Sequence, residues 1–254
     1  MKVVIFGKGK VGMATDLTLK TNATFHDPYK GSTVTDFSEF DMAIICVSSL
    51  NTGPYDHEAI EQCLNTLSAA AFTGTIAIRC TVAPVFLRTW ETRYPQLKII
   101  HFPEFMKQGD DIYLDKPWIL VLGGKEELTA PFGMWLVDNG YGYEHMLHFC
   151  TLEESALIKL HQNAGLALKV TYANIMYETC KYYGADYEKV RTGVAADVRV
   201  GPGHLQVPGE DGFGFGGHCL PKDLNCLNKV SYNRNFWGTI LKINDELRAK
   251  NVSK

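Results

Sequence analysis

The sequence lacks a long apolar run, a large excess of charge of either sign and any CxxC pair. Its 254 residues carry a formal net charge of -3, with 46% hydrophobic and 21% charged residues. No apolar run is long enough to span a bilayer, and the opening MKVVIFGKGKVG is a short run broken by glycines and lysines, which indicates a buried strand rather than a signal peptide. A mildly acidic chain without a basic stripe exerts no overall attraction on nucleic acid or anionic membrane. We therefore expect a globular protein of one large or two smaller domains, with neither of these as a partner.

The cysteines number seven, an odd count, and they are scattered along the chain. This usage is typical of reduced thiols in a cytoplasmic compartment, and it argues against a disulfide framework or a metal cluster. Most such cysteines are small buried hydrophobic side chains. Cys219 differs from the others in its sequence neighbours, because a glycine-rich segment precedes it and Lys222 and Asp223 follow it.

Short apolar runs alternate with helical patterns over residues 1–150. Strands are predicted at KVVIFG, ATFHD, FDMAIICVS, TIAIRC, KIIHFP and WILVLGG, and helices at DHEAIEQCLNTLSAAA, PVFLRTWETRY and EELTAPFGMWLVDN. Such alternation is typical of an α/β fold in which helices cover both faces of a parallel sheet. The first predicted domain is therefore a sheet domain over residues 1–150.

The pattern becomes helical over residues 151–254. A long helix is predicted from Thr151, which with Glu154 fits a capping box, to the glycine of YYGAD. Shorter helices are predicted at DYEKVRTGVAA, DLNCLNKV and FWGTILKINDELRAKN, and residues 200–217, rich in glycine and proline, are predicted as loop. The second predicted domain is therefore all-helical with a long central helix.

The segment VVIFGKGKVG contains a GxGxxG pattern, formed by Gly7, Gly9 and Gly12, directly after the first strand. These glycines permit a tight turn and let a pyrophosphate approach the N-terminus of the following helix. Asp27 ends the next strand, 20 positions after Gly7, where a carboxylate accepts hydrogen bonds from the adenosine ribose and repels a 2′-phosphate. The pattern predicts a Rossmann-type domain that binds NAD rather than NADP; a glycine turn in an α/β domain that binds another ligand is the alternative.

Two groups of side chains in the second half are suited to catalysis. Lys159 and Asn163 share a face of the long helix, where they would polarise a hydroxyl or hold an oxyanion; a solvated lysine and a surface asparagine fit the same spacing. The segment GFGFGGHCLPKDL sets Cys219 close to Lys222. A thiol beside a cation is a candidate nucleophile, and a buried, inert thiol is the alternative.

Several segments together resemble the UDP-glucose/GDP-mannose dehydrogenase family. The run HLQVPGEDGFGFGGHCLPKDL is similar to its glycine-rich cysteine signature, RCTVAP to its Ser-Thr-Val-Pro turn, FPEFMKQGDD to its Pro-Glu-Phe-Leu-Arg-Glu segment, EESALIKLHQN to its Lys-x-x-x-Asn helix and AADVRVG to its Asp-x-Arg-Ile-Gly. The loop CVSSLNTGPYD follows the family's Cys-Val-x-Thr-Pro only in part. The motifs occur in the family's order over residues 1 to about 235, and together they are more specific than any one alone.

The resemblance implies a four-electron oxidation with NAD as cofactor. Members of the family oxidise the primary alcohol of a nucleotide sugar, such as UDP-glucose, to the uronic acid, using two NAD per sugar. The implied catalytic residues are Cys219, Lys159, Asn163, Asp223, Glu104 and Thr81. The implied cofactor contacts are Gly7, Gly9, Lys10, Val11, Gly12, Asp27, Val47 and Ser48. The implied substrate contacts are Arg199, Gly216, Gly217 and Lys222.

Each implied catalytic residue has a role in the family's reaction. Cys219 would add to the intermediate aldehyde as a thiohemiacetal and then carry a thioester. Lys159 and Asn163 would stabilise the developing alkoxide. Asp223, with an ordered water, would act as a base.

Further roles follow from the same resemblance. Glu104 would assist thioester hydrolysis, and Thr81 would position the water. Arg199 would reach across a dimer contact toward the sugar, because family members pair through the long helix. We therefore expect a homodimer.

The sequence departs from the family pattern at two points. Gln108 stands where the family has a second glutamate, and an amide cannot act as a base. Family members also carry another Rossmann-like domain that holds the substrate nucleotide, whereas this sequence stops at Lys254. We expect either that another chain holds the nucleotide, that the substrate is smaller, or that activity is lost.

Two other functions remain open. A single-step dehydrogenase of the β-hydroxyacid type shares the Rossmann and helical domains and the lysine and asparagine, but it needs no cysteine. A non-catalytic relative would bind NAD or a sugar nucleotide without turnover. The joint presence of Lys159, Asn163, Cys219 and Asp223 argues against a non-catalytic relative, and the ordered set of motifs favours the oxidation of a nucleotide sugar.

Overall fold

The computed structural model describes residues 1–50, 53, 56–105 and 118–251. The chain divides into two compact units, Met1–Lys159 and Leu160–Lys254. Among the described residues, no helix combines the length and apolar character needed to cross a bilayer.

The first unit contains a seven-stranded sheet with the strand order β2-β1-β3-β4-β5-β6-β7. The strands are β1 Val3–Phe6, β2 Thr24–His26, β3 Met42–Ile45, β4 Thr75–Ile78, β5 Lys98–His101, β6 Leu120–Gly123 and β7 Leu147–Cys150. All neighbours pair in parallel except β5 and β6, which are antiparallel and meet at His101 and Gly123. The predicted α/β fold class is confirmed, with one antiparallel pairing and one further strand, β7, beyond the six that the sequence indicated.

Helices connect the strands of the first unit. They are α1 Lys10–Leu19, α2 Glu58–Ala69, α3 Pro84–Arg93 and α4 Glu126–Asp138, with short 3-10 turns at Pro28–Lys30 and Glu144–Met146. Every residue of β1, β3 and β6 is buried. Separate apolar clusters fill the two faces of the sheet, which explains why these strands read as continuous apolar runs rather than as alternating patterns.

The strand order reverses beside β1. The chain passes from β1 to β2 on one side, and then returns to place β3 on the other side. In an open parallel sheet, ligands bind outside the carboxyl ends of the strands at such a reversal. The loops that follow β1 and β3 therefore mark the expected binding edge.

The second unit is helical. Helix α5 Leu152–Tyr182 begins in the first unit and continues through the second, which also contains α6 Tyr187–Ala195, α7 Cys219–Val230 and α8 Arg234–Ala249. The predicted capping box at the start of α5 is present: Glu154 Oε2 accepts from Thr151 N at 2.7 Å, and Thr151 Oγ1 accepts from Glu154 N at 3.2 Å. Asp186 caps α6 by accepting from Glu188 N and Lys189 N.

Helix α7 begins earlier than the sequence indicated. It starts at Cys219 rather than at Asp223, because Pro221 lies in the first turn, where its missing N–H leaves no helical hydrogen bond unmade. Cys219 is thus the first residue of a helix rather than the last residue of a loop.

Candidate active site

The glycine turn after β1 is built by close contacts. Gly7 has φ +95° and its N–H donates to His26 O at 3.1 Å. A Cβ at Gly12 would lie 2.0 Å from Gly7 O, so only glycine lets α1 pack against this turn. A Cβ at Gly9, in contrast, would meet no atom within 4 Å, which leaves room for a ligand at the position where such motifs admit a pyrophosphate.

The N-terminus of α1 offers hydrogen-bond donors. Gly9 is the N-cap and no side chain caps the helix, so the first backbone N–H groups, including those of Lys10 and Val11, have no helical acceptor. The positive end of a helix dipole together with such donors favours an anion. The turn therefore fits the pyrophosphate of a dinucleotide.

Asp27 follows β2 directly and stands next to this turn. Its Oδ2 accepts from Lys8 N at 2.8 Å, and Lys30 Nζ donates to Lys8 O at 2.7 Å. Asp27 is half-buried, and a backbone N–H fixes its carboxylate. This arrangement suits acceptance of hydrogen bonds from ribose hydroxyls, so the described residues fit NAD.

The segments after β3, β4 and β5 carry further predicted site residues. Val47 is half-buried and Ser48 is exposed. Thr81 is buried, and its carbonyl accepts from Ser49 Oγ at 2.8 Å. Glu104 is half-buried. Because these three strands are parallel neighbours, their carboxyl ends lie at one edge of the sheet. Gln108 lies outside the described residues.

Lys159 is buried within the first unit rather than solvated. Its side chain is 8% exposed, and Nζ lies 5.0 Å from the centre of the Phe105 ring, a distance that permits a cation–π interaction. This burial excludes the alternative of a solvated surface lysine.

His101 joins the end of β5 to the first turns of α5. Its Nδ1 lies 2.7 Å from Ser155 Oγ and its Nε2 lies 3.1 Å from Cys80 O. Burial, with a smaller contribution from the charge of Lys159, lowers the pKa of His101 to about 4, so the ring is neutral at pH 7. The carbonyl of Cys80 then requires Nε2 to carry the proton, so the unprotonated Nδ1 faces the Ser155 hydroxyl, which also contacts Leu152 O at 2.7 Å. Ser155 lies one turn before Lys159 and shares its helix face.

Asn163 and Asp223 are joined inside the second unit. Asn163 Nδ2 donates to Asp223 Oδ2 at 2.5 Å, and Lys222 Nζ contacts Asp223 Oδ1 at 2.6 Å. Asn163 is 8% exposed and Asp223 is fully buried. One carboxylate therefore holds both an amide and an ammonium group, and Asn163 is not a surface residue.

Cys219 is the exposed member of the seven cysteines. It opens the 12-residue helix α7, with Asp223 one turn later on the same face. Burial raises the pKa of Cys46 to about 11 and those of Cys63 and Cys226 to about 12, so these thiols stay protonated at neutral pH. A helix N-terminus, in contrast, favours a thiolate. Cys219 is therefore the cysteine best suited to nucleophilic chemistry.

Residues 153–246 match the family model described as the UDP-glucose/GDP-mannose dehydrogenase family, central domain. This part of the chain is similar to the central domain of that family. The match covers Lys159, Asn163, Arg199 and the whole glycine–cysteine segment, so the resemblance of the sequence motifs to the family is confirmed.

Curated relatives are nucleotide-sugar dehydrogenases by name. The UDP-glucose 6-dehydrogenase 3 of Oryza sativa subsp. japonica is 27% identical over 193 residues, which is 71% of this chain and 39% of that protein. A UDP-glucose 6-dehydrogenase of Bacillus subtilis is 30% identical over 160 residues, which is 60% of this chain and 34% of that protein. The chain thus spans about two fifths of the length of the curated relatives that it matches.

A solved structure shows the same fold. The UDP-D-ManNAc dehydrogenase from Pyrococcus horikoshii matches with a TM-score of 0.79 at 17% identity, over 100% of this chain and 70% of that chain.

The remaining predicted substrate residues lie in the second unit. Arg199 is exposed and its Nη2 pairs with Asp197 Oδ2 at 2.5 Å. Gly216 is half-buried and Gly217 is exposed, immediately before α7. Lys222, paired with Asp223, is mostly buried, which favours a structural role for it.

Sequence reasoning missed three asparagines that hold the glycine loop before Cys219. Asn251 exchanges two hydrogen bonds with the backbone of Phe213, and Asn244 exchanges two with Phe215. Asn174 accepts from Gly214 N at 3.1 Å. The one sequence signal was that Asn174 and Asn244 interrupt predicted helices, where asparagine is a poor helix former.

Proposed function

We propose that this chain is an NAD-dependent nucleotide-sugar dehydrogenase that oxidises a primary alcohol to a carboxylate through Cys219. The observation that carries the proposal is the pairing of an exposed cysteine at the start of α7 with a buried Asn163–Asp223–Lys222 network one turn behind it. A structural cysteine would need no such buried polar support. The family match over residues 153–246 is consistent with this chemistry.

The first unit would bind the cofactor. The turn Gly7–Gly12 and the N-terminus of α1 would hold the pyrophosphate, and Asp27 would hold the adenosine ribose. Val47 and Ser48, after β3, would contact the rest of the cofactor. When bound, NAD would supply the hydride acceptor, with two NAD consumed per alcohol oxidised to acid.

Lys159 and Asn163 would act on the substrate oxygen. An ammonium group and an amide N–H stabilise negative charge that develops as an alcohol loses its proton. Asp223 would orient the Asn163 amide and, through an ordered water, accept that proton. Loss of one such donor typically reduces the rate by roughly a hundred-fold or more.

Cys219 would hold the aldehyde stage. Its sulfur would form a C–S bond to the aldehyde carbon while the aldehyde oxygen takes a proton, giving a thiohemiacetal. Removal of the second hydride from the carbon, with loss of the hydroxyl proton, turns this into a thioester. Water then adds to the thioester carbon, the C–S bond breaks, and the thiol and carboxylate are released. Glu104 would activate that water, and Thr81 would position it.

Substrate and assembly follow from the same proposal. The substrate would be a nucleotide sugar of the UDP-glucose type, contacted by Arg199 and by the backbone of Gly216 and Gly217. A homodimer would form along α5, where the exposed Tyr172, Ile175 and Tyr182 share a stripe. Sedimentation velocity tests the dimer, and a monomer at micromolar concentration would contradict it. We expect a cytoplasmic location from the reduced cysteines.

The decisive experiment counts NADH formed per molecule of limiting UDP-glucose. We expect two NADH per sugar in the wild type and none beyond background in Cys219→Ser. Cys150→Ser is the matched control, because Cys150 is a half-buried residue of the strand β7 in the first unit, and it should retain full turnover.

Other outcomes would separate the alternatives. One NADH per sugar, unchanged in Cys219→Ser, would replace the proposal with a single-step dehydrogenase. NAD binding by calorimetry without NADH formation would contradict this activity toward UDP-glucose and support a binding role.

A further inference from the structure

The glycine-rich segment before Cys219 is held by side-chain amides. Asn251 Oδ1 accepts from Phe213 N at 2.9 Å and its Nδ2 donates to Phe213 O at 3.0 Å. Asn244 makes the same pair of bonds with Phe215, at 2.7 Å and 3.1 Å. Each amide therefore satisfies one residue of the loop as a neighbouring strand would.

A third asparagine, from helix α5, also binds the loop. Asn174 of α5 accepts from Gly214 N at 3.1 Å, so three consecutive N–H groups, those of residues 213 to 215, are each accepted by a different asparagine. Asn174 is 1% exposed and Asn244 is 5% exposed. Arg248 Nη1 adds a bond to Asp211 O. We call Asn174, Asn244 and Asn251 the asparagine clamp.

The clamp explains why this segment alternates glycine with phenylalanine. A Cβ at Gly212 would lie 2.4 Å from Asn251 Oδ1, and one at Gly214 would lie 2.6 Å from Asn244 Oδ1. Both glycines also have positive φ, +88° and +74°, which other residues adopt at a cost. These two glycines therefore make room for amides of the same chain.

We infer that the asparagine clamp positions Cys219, with Asn244 and Asn251 of the α8 end as positioning residues for its thiol. Only three residues lie between Phe215, where the clamp ends, and Cys219, where α7 begins. Release of the clamp would let Gly216–His218 shift and would move the thiol away from the N-terminal amides of α7, which stabilise the thiolate. The inference rests on the proposed function in one respect, namely that Cys219 is the reacting group.

The test measures alkylation of Cys219 by iodoacetamide as a function of pH, resolved by peptide mass spectrometry, without substrate or cofactor. Asn244→Asp removes the donor to Phe215 O and sets a carboxylate against that carbonyl. We expect the Cys219 rate constant at pH 7 to fall about tenfold and its pH profile to move to higher pH, while the buried cysteines stay protected. Asn235→Asp is the matched control, because Asn235 is an exposed residue of the same helix, and its profile should match the wild type.

Several results would overturn the inference. One is a folded Asn244→Asp variant in which the pH profile of Cys219 alkylation matches the wild type. Another is an Asn244→Asp variant in which alkylation rises at all cysteines together. Should Asn244→Asp not fold, Asn251→Asp decides in the same way, because Asn251 is less buried; failure of both to fold would show that the amides hold the domain rather than the thiol. The alkylation measurement needs no turnover. A shifted pH profile of Cys219 alkylation in a protein that forms no NADH would therefore support the role of the clamp and contradict the proposed function.

Discussion

Asn163 Nδ2 donates to the buried carboxylate of Asp223 at 2.5 Å, and the same carboxylate pairs with Lys222. The two residues come from α5 and α7 and lie far apart in the sequence. An amide on one oxygen and an ammonium group on the other fix the orientation of this carboxylate in the first turns of the helix that begins at Cys219.

This network makes a stability prediction for Asp223→Asn. The variant leaves the Lys222 ammonium, whose side chain is 11% exposed, without its anion. Loss of one partner of a buried ion pair typically lowers the free energy of unfolding by about 3–5 kcal/mol. Urea unfolding followed by circular dichroism measures the change. The double variant Lys222→Met/Asp223→Asn is the control, since it leaves no uncompensated charge and should lose less; an equal loss in both would contradict the ion-pair explanation.

His101 gives a prediction for pH. Its pKa is about 4 in the folded protein against an ordinary 6.5, so the unfolded chain binds more protons between these values and stability rises with pH across this window. The stabilisation is fully present above pH 6.5 and is lost as pH falls toward 4; it amounts to about 3 kcal/mol.

His101→Gln should therefore flatten the dependence of unfolding free energy on pH between 4 and 6.5, measured by urea unfolding. His148→Gln is the matched control, because His148 is exposed on the edge strand β7, and it should retain the wild-type slope. A wild-type slope in His101→Gln would show that other groups carry the pH dependence.

Gly9 and Gly12 should separate ligand binding from folding. A Cβ at Gly9 meets no atom within 4 Å, so Gly9→Ala should fold normally. Its methyl group should obstruct the pyrophosphate at a cost of roughly 1–3 kcal/mol, which raises the Kd for NAD by roughly 5- to 150-fold. Gly12→Ala should lose stability, because its Cβ would overlap Gly7 O at 2.0 Å. Calorimetric titration with NAD and thermal unfolding measure both. Gly193→Ala is the control, because a Cβ at Gly193 also meets no atom within 4 Å but lies in α6. Normal NAD affinity in Gly9→Ala would contradict the placement of the pyrophosphate at this turn.

In the loop over residues 200–217, an alanine at Gly203 should leave the stability unchanged, whereas an alanine at Gly214 should lower it. Gly214→Ala combines a positive φ with a 2.6 Å approach to Asn244 Oδ1 and should lower the free energy of unfolding by about 1–3 kcal/mol. A Cβ at Gly203 meets nothing within 4 Å, so Gly203→Ala should stay within about 0.5 kcal/mol of the wild type. Chemical denaturation compares the two, and equal stability would argue against the tight packing of the loop.

The sequence predicted the features that depend on local order. Strand–helix alternation, the GxGxxG turn and the Thr151 capping box each follow from neighbouring residues, and each is present. The burial of Lys159 and Asn163 could not be predicted, because the groups that cover them, Phe105 and Asp223, come from distant segments. The sequence places the start of α7 at Asp223, whereas the helix begins at Cys219 and includes Pro221 in its first turn, a position that proline tolerates.

The asparagine clamp has a consequence for the entropy of any reaction at Cys219. Ordering one residue of a flexible segment costs about 1–2 kcal/mol of conformational entropy. Five amide–backbone hydrogen bonds fix residues 213–215 within the chain itself, so this cost is met when the domain folds. The segment is therefore already ordered before a substrate reaches the thiol, and the binding free energy includes no conformational-entropy cost for these residues.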